Sequence, residues 1–405
     1  MKIVVAPDKF KGCLSAPVVA ACLEAGLRRI DSTLEIDLCP MADGGEGTVD
    51  ALVMATGGKL HTRTVIGPLP DMQVQAKLGI LGDGQTAVIE MASASGLALL
   101  RANQYNPLKT TTYGTGQLLM EAFRLGIKHV ILGIGGSATT DGGLGCAQAC
   151  GVRLILADGQ SASGAPALTG GDIVSINGVE SGVPPLAGMR ITVACDVSNP
   201  LVGPTGAAAV FGPQKGATPA QVEELDSALR GLYKRLGQNQ AAMAPGAGAA
   251  GGLGFGMMAF FGAELKSGIE LVTDACRLPQ RLQDARLCLT GEGRFDAQSL
   301  GGKTAIGVSR LCRQAGVPCI AIAGSVERVG RRGSGGGDGG WKDPAHDAKV
   351  LAEGITAVFS ICNGPLSLEA AMRDAPDLLA DCAENVLRAF SAGSGNRHVD
   401  SHATP

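Results

Sequence analysis

At 405 residues the chain exceeds the size of most single cores, so two domains are expected. Hydrophobic residues at 45% and charged residues at 18% make it globular, and a formal charge of -3 with only 3% aromatics supplies neither a basic stripe nor stacking platforms for nucleic acid. The uncharged stretch 246–263 has the length of a membrane span but is too glycine-rich for one. Twelve cysteines are scattered without a CxxC pair or a signal-peptide pattern, which points to a reducing cytoplasm.

In chain order, KIVVA at residues 2–6 is a buried strand, followed by an amphipathic helix over 16–29 and a strand over 35–39. ADGGEGTVDALVMATGG then places a glycine turn before a helix that stops at Gly57 and Gly58. This βαβα start predicts a parallel sheet. From 61 to 90 the pattern changes to short strands separated by GPLPD and GDGQ, which read as hairpin turns. A helix follows TTTYGTG, a strand covers 129–132, a helix lies near Ala147, and strands follow at 152–156 and 191–195. After residue 280, strands at 287–290, 318–323 and 357–360 with a helix over 304–315 return to βα units.

The expected architecture is therefore α/β with two domains. Residues 1–60 and 280–390 form a discontinuous, doubly wound parallel-sheet domain of Rossmann or flavodoxin type, and 61–279 form an inserted mixed α/β domain. The glycine-rich segment 329–347 reads as a flexible loop and 391–405 as a disordered tail.

The segment HVILGIGGSATTDGG, 129–143, runs an apolar strand into a glycine turn carrying Ser137, Thr139, Thr140 and Asp141. Such a turn presents backbone N–H groups to an anion, although glycines also permit close strand-to-helix packing. The same residues satisfy G-x-G-x-x-A at Gly133, Gly135 and Ala138, with Asp158 twenty residues on, so a nicotinamide dehydrogenase of a small hydroxy acid is a competing reading. GGKT at 301–304 resembles the end of a P-loop, but Ala297 stands where its first glycine belongs; Lys303 is kept as a phosphate-ligand candidate.

Acidic residues recur in loops at strand ends: Asp8 after KIVVA, Asp43 in ADGGEG, Asp196 in ACDVSNP, and Glu292 and Asp296 in TGEGRFD. Singly each suits a turn or a helix cap, while together they suit Mg²⁺ and a general base. Lys11, Lys215 and Arg294 offer the cations that phosphoryl transfer needs.

In order along the chain, APDKFKGCLSA, PMADGGEGTVDAL, GPLPD, AVIEMASASGL, NPLKTTTYGTG, GIGGSATTDGG, ACDVSNPLVGPTGAAAVFGPQKGA, GAGAAGGLGFG and LTGEGRFDAQSLGGK resemble the bacterial glycerate kinases over about residues 1–390. The resemblance implies phosphorylation of D-glycerate by ATP, with 2-phosphoglycerate as the usual product, on a two-domain α/β fold without a P-loop. Lys9 stands where that family mostly has serine, Thr140 where asparagine is common, and 329–347 looks inserted.

On that basis Gly135, Gly136, Ser137 and Thr139 are expected to bind a phosphate or the substrate carboxylate. Asp196 and Asp43 are expected to hold Mg²⁺ or accept the hydroxyl proton, and Lys11, Lys215 and Arg294 to neutralise charge. Gly248, Gly251 and Gly252 read as a second anion site at a helix entrance. The partners expected are ATP and D-glycerate, with neither nucleic acid nor membrane. A non-catalytic sugar-acid sensor is the remaining alternative, and the sequence leaves nucleotide preference and oligomeric state open.

Overall fold

The computed structural model describes residues 1–180, 186–296, 299, 304–326 and 348–393. Within them run β1 (Lys2–Pro7), β2 (Glu35–Leu38), β3 (Lys59–Ile66), β4 (Gln73–Ile80), β5 (Thr86–Glu90), β6 (His129–Gly133), β7 (Leu154–Leu156), β8 (Ile176–Val179), β9 (Arg190–Ala194), β10 (Glu264–Lys266), β11 (Leu287–Phe295), β12 (Cys319–Val326) and β13 (Ile355–Ser360). The chain divides into two units, one made of residues 1–42 and 273–405, the other of 43–272.

The first unit is built on a parallel sheet in the order β13-β12-β11-β1-β2. Side chains alternate across it, as the two-residue period of a strand requires. Ile3, Val5, Leu287, Leu289, Ile320 and Ile322 join a core with Leu23 of the helix Ala16–Arg28 and Leu379 of the helix Ala375–Gly393. On the opposite face the helix Thr304–Ala315 covers the sheet. Helices on both faces make this the doubly wound domain that continuous apolar strands such as KIVVA announce. The helix Ala375–Gly393 includes Ser391, Ala392 and Gly393, which the sequence reading gave to the tail, and residues 394–405 lie outside the described residues. Residues 329–347 lie outside the described residues.

The second unit holds a mixed sheet in the order β10-β9-β6-β5-β4-β3, antiparallel at β3–β4 and β4–β5 and parallel elsewhere. The GDGQ turn is fixed by Asp83, whose Oδ1 accepts the amides of Gln85 at 2.9 Å and Thr86 at 2.8 Å. A separate core gathers Leu144, Ile173, Leu229 and Phe255 near the antiparallel pair β7–β8.

Both domain boundaries differ from the sequence expectation. The helix Thr48–Thr56 belongs with the second unit: its Val49 and Val53 pack on β4 so closely that a Cβ on Gly79 would lie 2.6 Å from Val53. The first boundary therefore falls after Ala42 instead of 60, and the second after Val272 instead of 279. The change from helical to strand rhythm at residue 61 marks a change of layer within one unit. Among the described residues, no helix is long and apolar enough to cross a membrane. The stretch 246–263 instead forms the buried helix Ala249–Phe261, interrupted at Ala250, Gly251 and Gly252.

Candidate active site

In the second unit, the loops following β6 and β9 meet the loop Asp43–Gly45 around a cavity of about 410 Å³. These are the C-terminal ends of parallel strands, where α/β proteins place their ligands. The approach of the Asp43 loop depends on glycine. A Cβ on Gly133, the last residue of β6, would lie 2.3 Å from the carbonyl oxygen of Gly44, and one on Gly268 would lie 2.0 Å from that of Asp43. Backbone thus packs on backbone, and the carboxylate-bearing turn is held at the sheet edge. Asp43 closes that turn by accepting the amide of Gly45 at 3.1 Å.

The loop after β6 is anchored on several sides. Leu97 donates its amide to the carbonyl of Gly136 at 2.9 Å, Ala138 donates to that of Ser95 at 3.0 Å, and the Thr110 hydroxyl donates to that of Ala138 at 3.0 Å. Asp141 is fully buried and accepts from the Thr112 amide at 2.8 Å, the Thr112 hydroxyl at 2.7 Å, and the amides of Gly143 at 3.1 Å and Gly145 at 3.3 Å. Burial nonetheless raises its pKa above the usual aspartate value, with these donors opposing the shift. The hydroxyls of Thr139 and Thr140, both buried, have no hydrogen-bond partner among the described residues.

Lys215 lines the same cavity while only 1% exposed. Its ammonium donates to Ser137 Oγ at 2.8 Å and to the Thr139 carbonyl at 2.5 Å, which leaves a third N–H without an acceptor among the described residues. Burial lowers its pKa to about 7, with the charge of Asp141 pulling the other way. A desolvated cation with an unused donor is a site for an anion, because a bound negative charge supplies what burial has removed. Opposite in sign, Asp196 stands just past the end of β9; its Oδ1 accepts Ser267 Oγ at 3.1 Å and the Gly268 amide at 2.9 Å, while among the described residues Oδ2 accepts nothing.

Of the residues singled out in sequence, Asp43, Gly135, Gly136, Ser137, Asp196 and Lys215 line this one cavity. Thr139 lies beneath it, supplying a carbonyl to Lys215. Gly248, Gly251 and Gly252, expected as an anion site at a helix entrance, stand in a turn whose Ala249 and Ala250 line the cavity. The Gly248 amide is spent on the Asn199 carbonyl at 2.9 Å, and a Cβ on Gly251 or Gly252 would strike Thr139 O at 2.0 Å or Gly142 Cα at 2.9 Å. Their smallness lets this turn press on the 139–142 loop. Lys11 and Arg294 belong to the first unit, Lys11 exposed and Arg294 paired with Asp296 at 3.3 Å. Lys303 lies outside the described residues.

Asp8 was read in sequence only as one of several loop acids. It is 9% exposed at the end of β1, and its Oδ2 accepts the Thr304 hydroxyl at 2.5 Å. Thr112 and Ser267, which fix Asp141 and Asp196, were missed because each stands far along the chain from its partner and carries no local pattern.

The dinucleotide reading fails on geometry. That fingerprint needs a tight turn from strand into helix and a second parallel strand carrying the acid. Here the loop after Gly133 runs ten residues before the helix Leu144–Ala149 begins, and β7, ahead of Asp158, pairs antiparallel with β8. Asp158 closes its own turn by accepting the Gln160 amide at 2.9 Å.

Comparison with known proteins identifies the family. Residues 3–391 match the model of the glycerate kinase family. A protein of Escherichia coli (strain K12) named glycerate 2-kinase is 44% identical over 402 residues, which is 98% of this chain and 100% of the relative. One of Halalkalibacterium halodurans named glycerate kinase is 45% identical over 390 residues, 95% of this chain and 97% of the relative. The crystal structure of a protein described as glycerate kinase 2 from Salmonella typhimurium LT2 aligns with a TM-score of 0.83 at 43% identity, covering 97% of this chain and 99% of that one.

Proposed function

The chain belongs to the glycerate kinase family and is an ATP-dependent kinase; from that premise we propose that it transfers the γ-phosphoryl group of ATP to the 2-hydroxyl of D-glycerate, giving 2-phosphoglycerate and ADP. The observation that carries the assignment of the site is Lys215, a buried ammonium with a spare donor in a cavity that also holds Asp43 and Asp196. Phosphoryl transfer proceeds through a loose transition state whose charge spreads over the phosphoryl oxygens, so fixed cations and donors supply most of the catalysis.

In this reading Lys215, Ser137 and the backbone of Gly135 and Gly136 receive an anionic group, phosphate or glycerate carboxylate. The acceptor hydroxyl attacks the γ-phosphorus, the bond to the ADP oxygen breaks, and the hydroxyl proton passes to a carboxylate. Asp196 suits that role because its Oδ1 is already fixed by two donors while Oδ2 accepts none. Asp43 and Asp196 are also hard oxygen donors of the kind Mg²⁺ prefers, and they are the residues that would hold it. When bound, the ion neutralises charge on the phosphate oxygens. Lys11 and Arg294 are assigned charge neutralisation on the family likeness, and Lys303, read from GGKT, is kept as a phosphate-ligand candidate. All twelve cysteines are free, which supports work in a reducing cytoplasm.

The test is phosphorus NMR of the protein with ATP, Mg²⁺ and D-glycerate, with L-glycerate as control. ADP and 2-phosphoglycerate are expected from the D isomer alone. A signal only for 3-phosphoglycerate overturns the regiochemistry, and absence of ADP formation overturns the substrate.

A further inference from the structure

Away from the cavity, in the first unit, three cysteines converge between the sheet and one of its helices. Cys288 and Cys319 are directly paired in register on the neighbouring parallel strands β11 and β12, so both side chains leave the same face. Cys312 comes down onto that face from the helix Thr304–Ala315. The three sulfurs all lie within 4.8 Å of one another, and each residue is 0% exposed. Buried cysteines are usually small apolar fillers, and elsewhere in this chain the thiols in contact form pairs, Cys39 with Cys276 and Cys146 with Cys150. Here three separate elements each deliver one sulfur to a common point.

We propose that Cys288, Cys312 and Cys319 form a three-thiol binding site for a soft monovalent metal ion, Cu(I). Ligand number decides between the candidates. Structural zinc sites take four protein ligands, whereas among the described residues no histidine, carboxylate or further cysteine joins this group. Hard ions require oxygen, and soft thiolate donors select Cu(I).

The ligating form of cysteine is the thiolate, so binding changes no oxidation state and the thiol protons that the ion displaces leave to solvent.

The experiment is an anaerobic titration of the reduced full-length protein with Cu(I) buffered by a competing chelator, followed by X-ray absorption at the copper edge. One ion per chain with three sulfur neighbours is expected, with binding weaker by about a hundredfold or more in Cys312→Ala and unchanged in Cys39→Ala. A two-sulfur shell, or undiminished binding in Cys312→Ala, overturns the site. Should that variant fail to fold, Cys312→Ser, which nearly keeps the side-chain volume but not the soft donor, is titrated in its place, and undiminished binding in it overturns the site. A parallel Zn(II) arm tests the choice of ion, since equally tight zinc with a four-ligand shell overturns Cu(I).

Discussion

Lys215 and Asp196 are the residues on which the functional reading turns, and they differ in how the fold treats them. The Lys215 ammonium is desolvated and has its pKa lowered to about 7, so its charge is lost as pH rises through that value. If it receives an anion, kcat/KM falls on the alkaline side of about 7. In the ternary complex the bound phosphate charge favours the ammonium, so the corresponding limb of kcat lies at higher pH. Coincident limbs in the two profiles count against the role. The stability consequence has its own sign: the unfolded chain keeps the lysine proton up to its ordinary 10.5, so between about 7 and 10.5 it binds more protons than the native state, and stability from this group rises with pH. Below about 7 the burial penalty is fully present. Asp196 makes a different prediction. Asn at this position can still accept from Ser267 and Gly268, so the turn is retained, but the charge is gone. Asp196→Asn is expected to lower kcat by about a hundredfold with Tm near wild type; near-normal kcat at saturating Mg²⁺ would transfer the role to Asp43. Asp196 was legible in the sequence because it stands in a loop after a strand, and Lys215 because it is a lone cation in the glycine-bounded FGPQKGA, which runs on from the helix Ala207–Phe211. Asp141 stood in the equally legible GIGGSATTDGG, but its clamping by Thr112, 29 residues earlier, is a tertiary fact.

At the scale of elements, regular strands and their turns were readable and packing of irregular backbone was not. Alternation and turn residues suffice for β3, β4 and β5, whereas nothing local in GAGAAGG tells that this turn wedges against the 139–142 loop. Gly251 sits at φ +67 with its missing Cβ directed at the Thr139 carbonyl, the group that also anchors Lys215. Gly251→Ala therefore meets both left-handed strain and a 2.0 Å clash with backbone. It is expected to destabilise the protein by about 2 kcal/mol or more and to raise KM, because the 139–142 loop must give way. Denaturant unfolding together with steady-state kinetics tests this; a variant with unchanged midpoint and KM would show that the turn is not a wedge. The helix Pro219–Arg235 shows the opposite case, an element passed over although its signals are local. Pro219 opens it, and Thr218 and Gln221 exchange a capping box, Gln221 N to Thr218 Oγ1 at 3.3 Å and Thr218 N to Gln221 Oε1 at 2.9 Å.

For the whole molecule, discontinuity of one domain was legible because βα units at both ends of the chain flank a stretch with a different rhythm. The boundaries were not, since composition does not reveal that the helix Thr48–Thr56 packs on β4 rather than on the sheet its neighbours in sequence build. The contiguous unit contains its own six-stranded sheet and two apolar cores, one around Leu78, Ile89, Leu118 and Leu132, the other around Leu144, Leu229 and Phe255. The other unit is completed only when β11, from the far end of the chain, pairs with β1. An asymmetry in folding follows. A fragment of residues 43–275, which keeps the helix Gly268–Ala275 whole, is expected to fold cooperatively by itself, with dispersed amide NMR signals and a single thermal transition. A fragment of residues 1–42 is expected to stay unfolded, because β1 and β2 make a two-stranded sheet too small to bury their apolar faces. The 43–275 fragment retains Asp43, Ser137, Asp196 and Lys215, so phosphate should still shift the resonances of Gly135 and Gly136. A fragment that remains unfolded would show that the second unit depends on the first for its stability, and a folded fragment whose Gly135 and Gly136 signals ignore phosphate would remove the anion from this cavity.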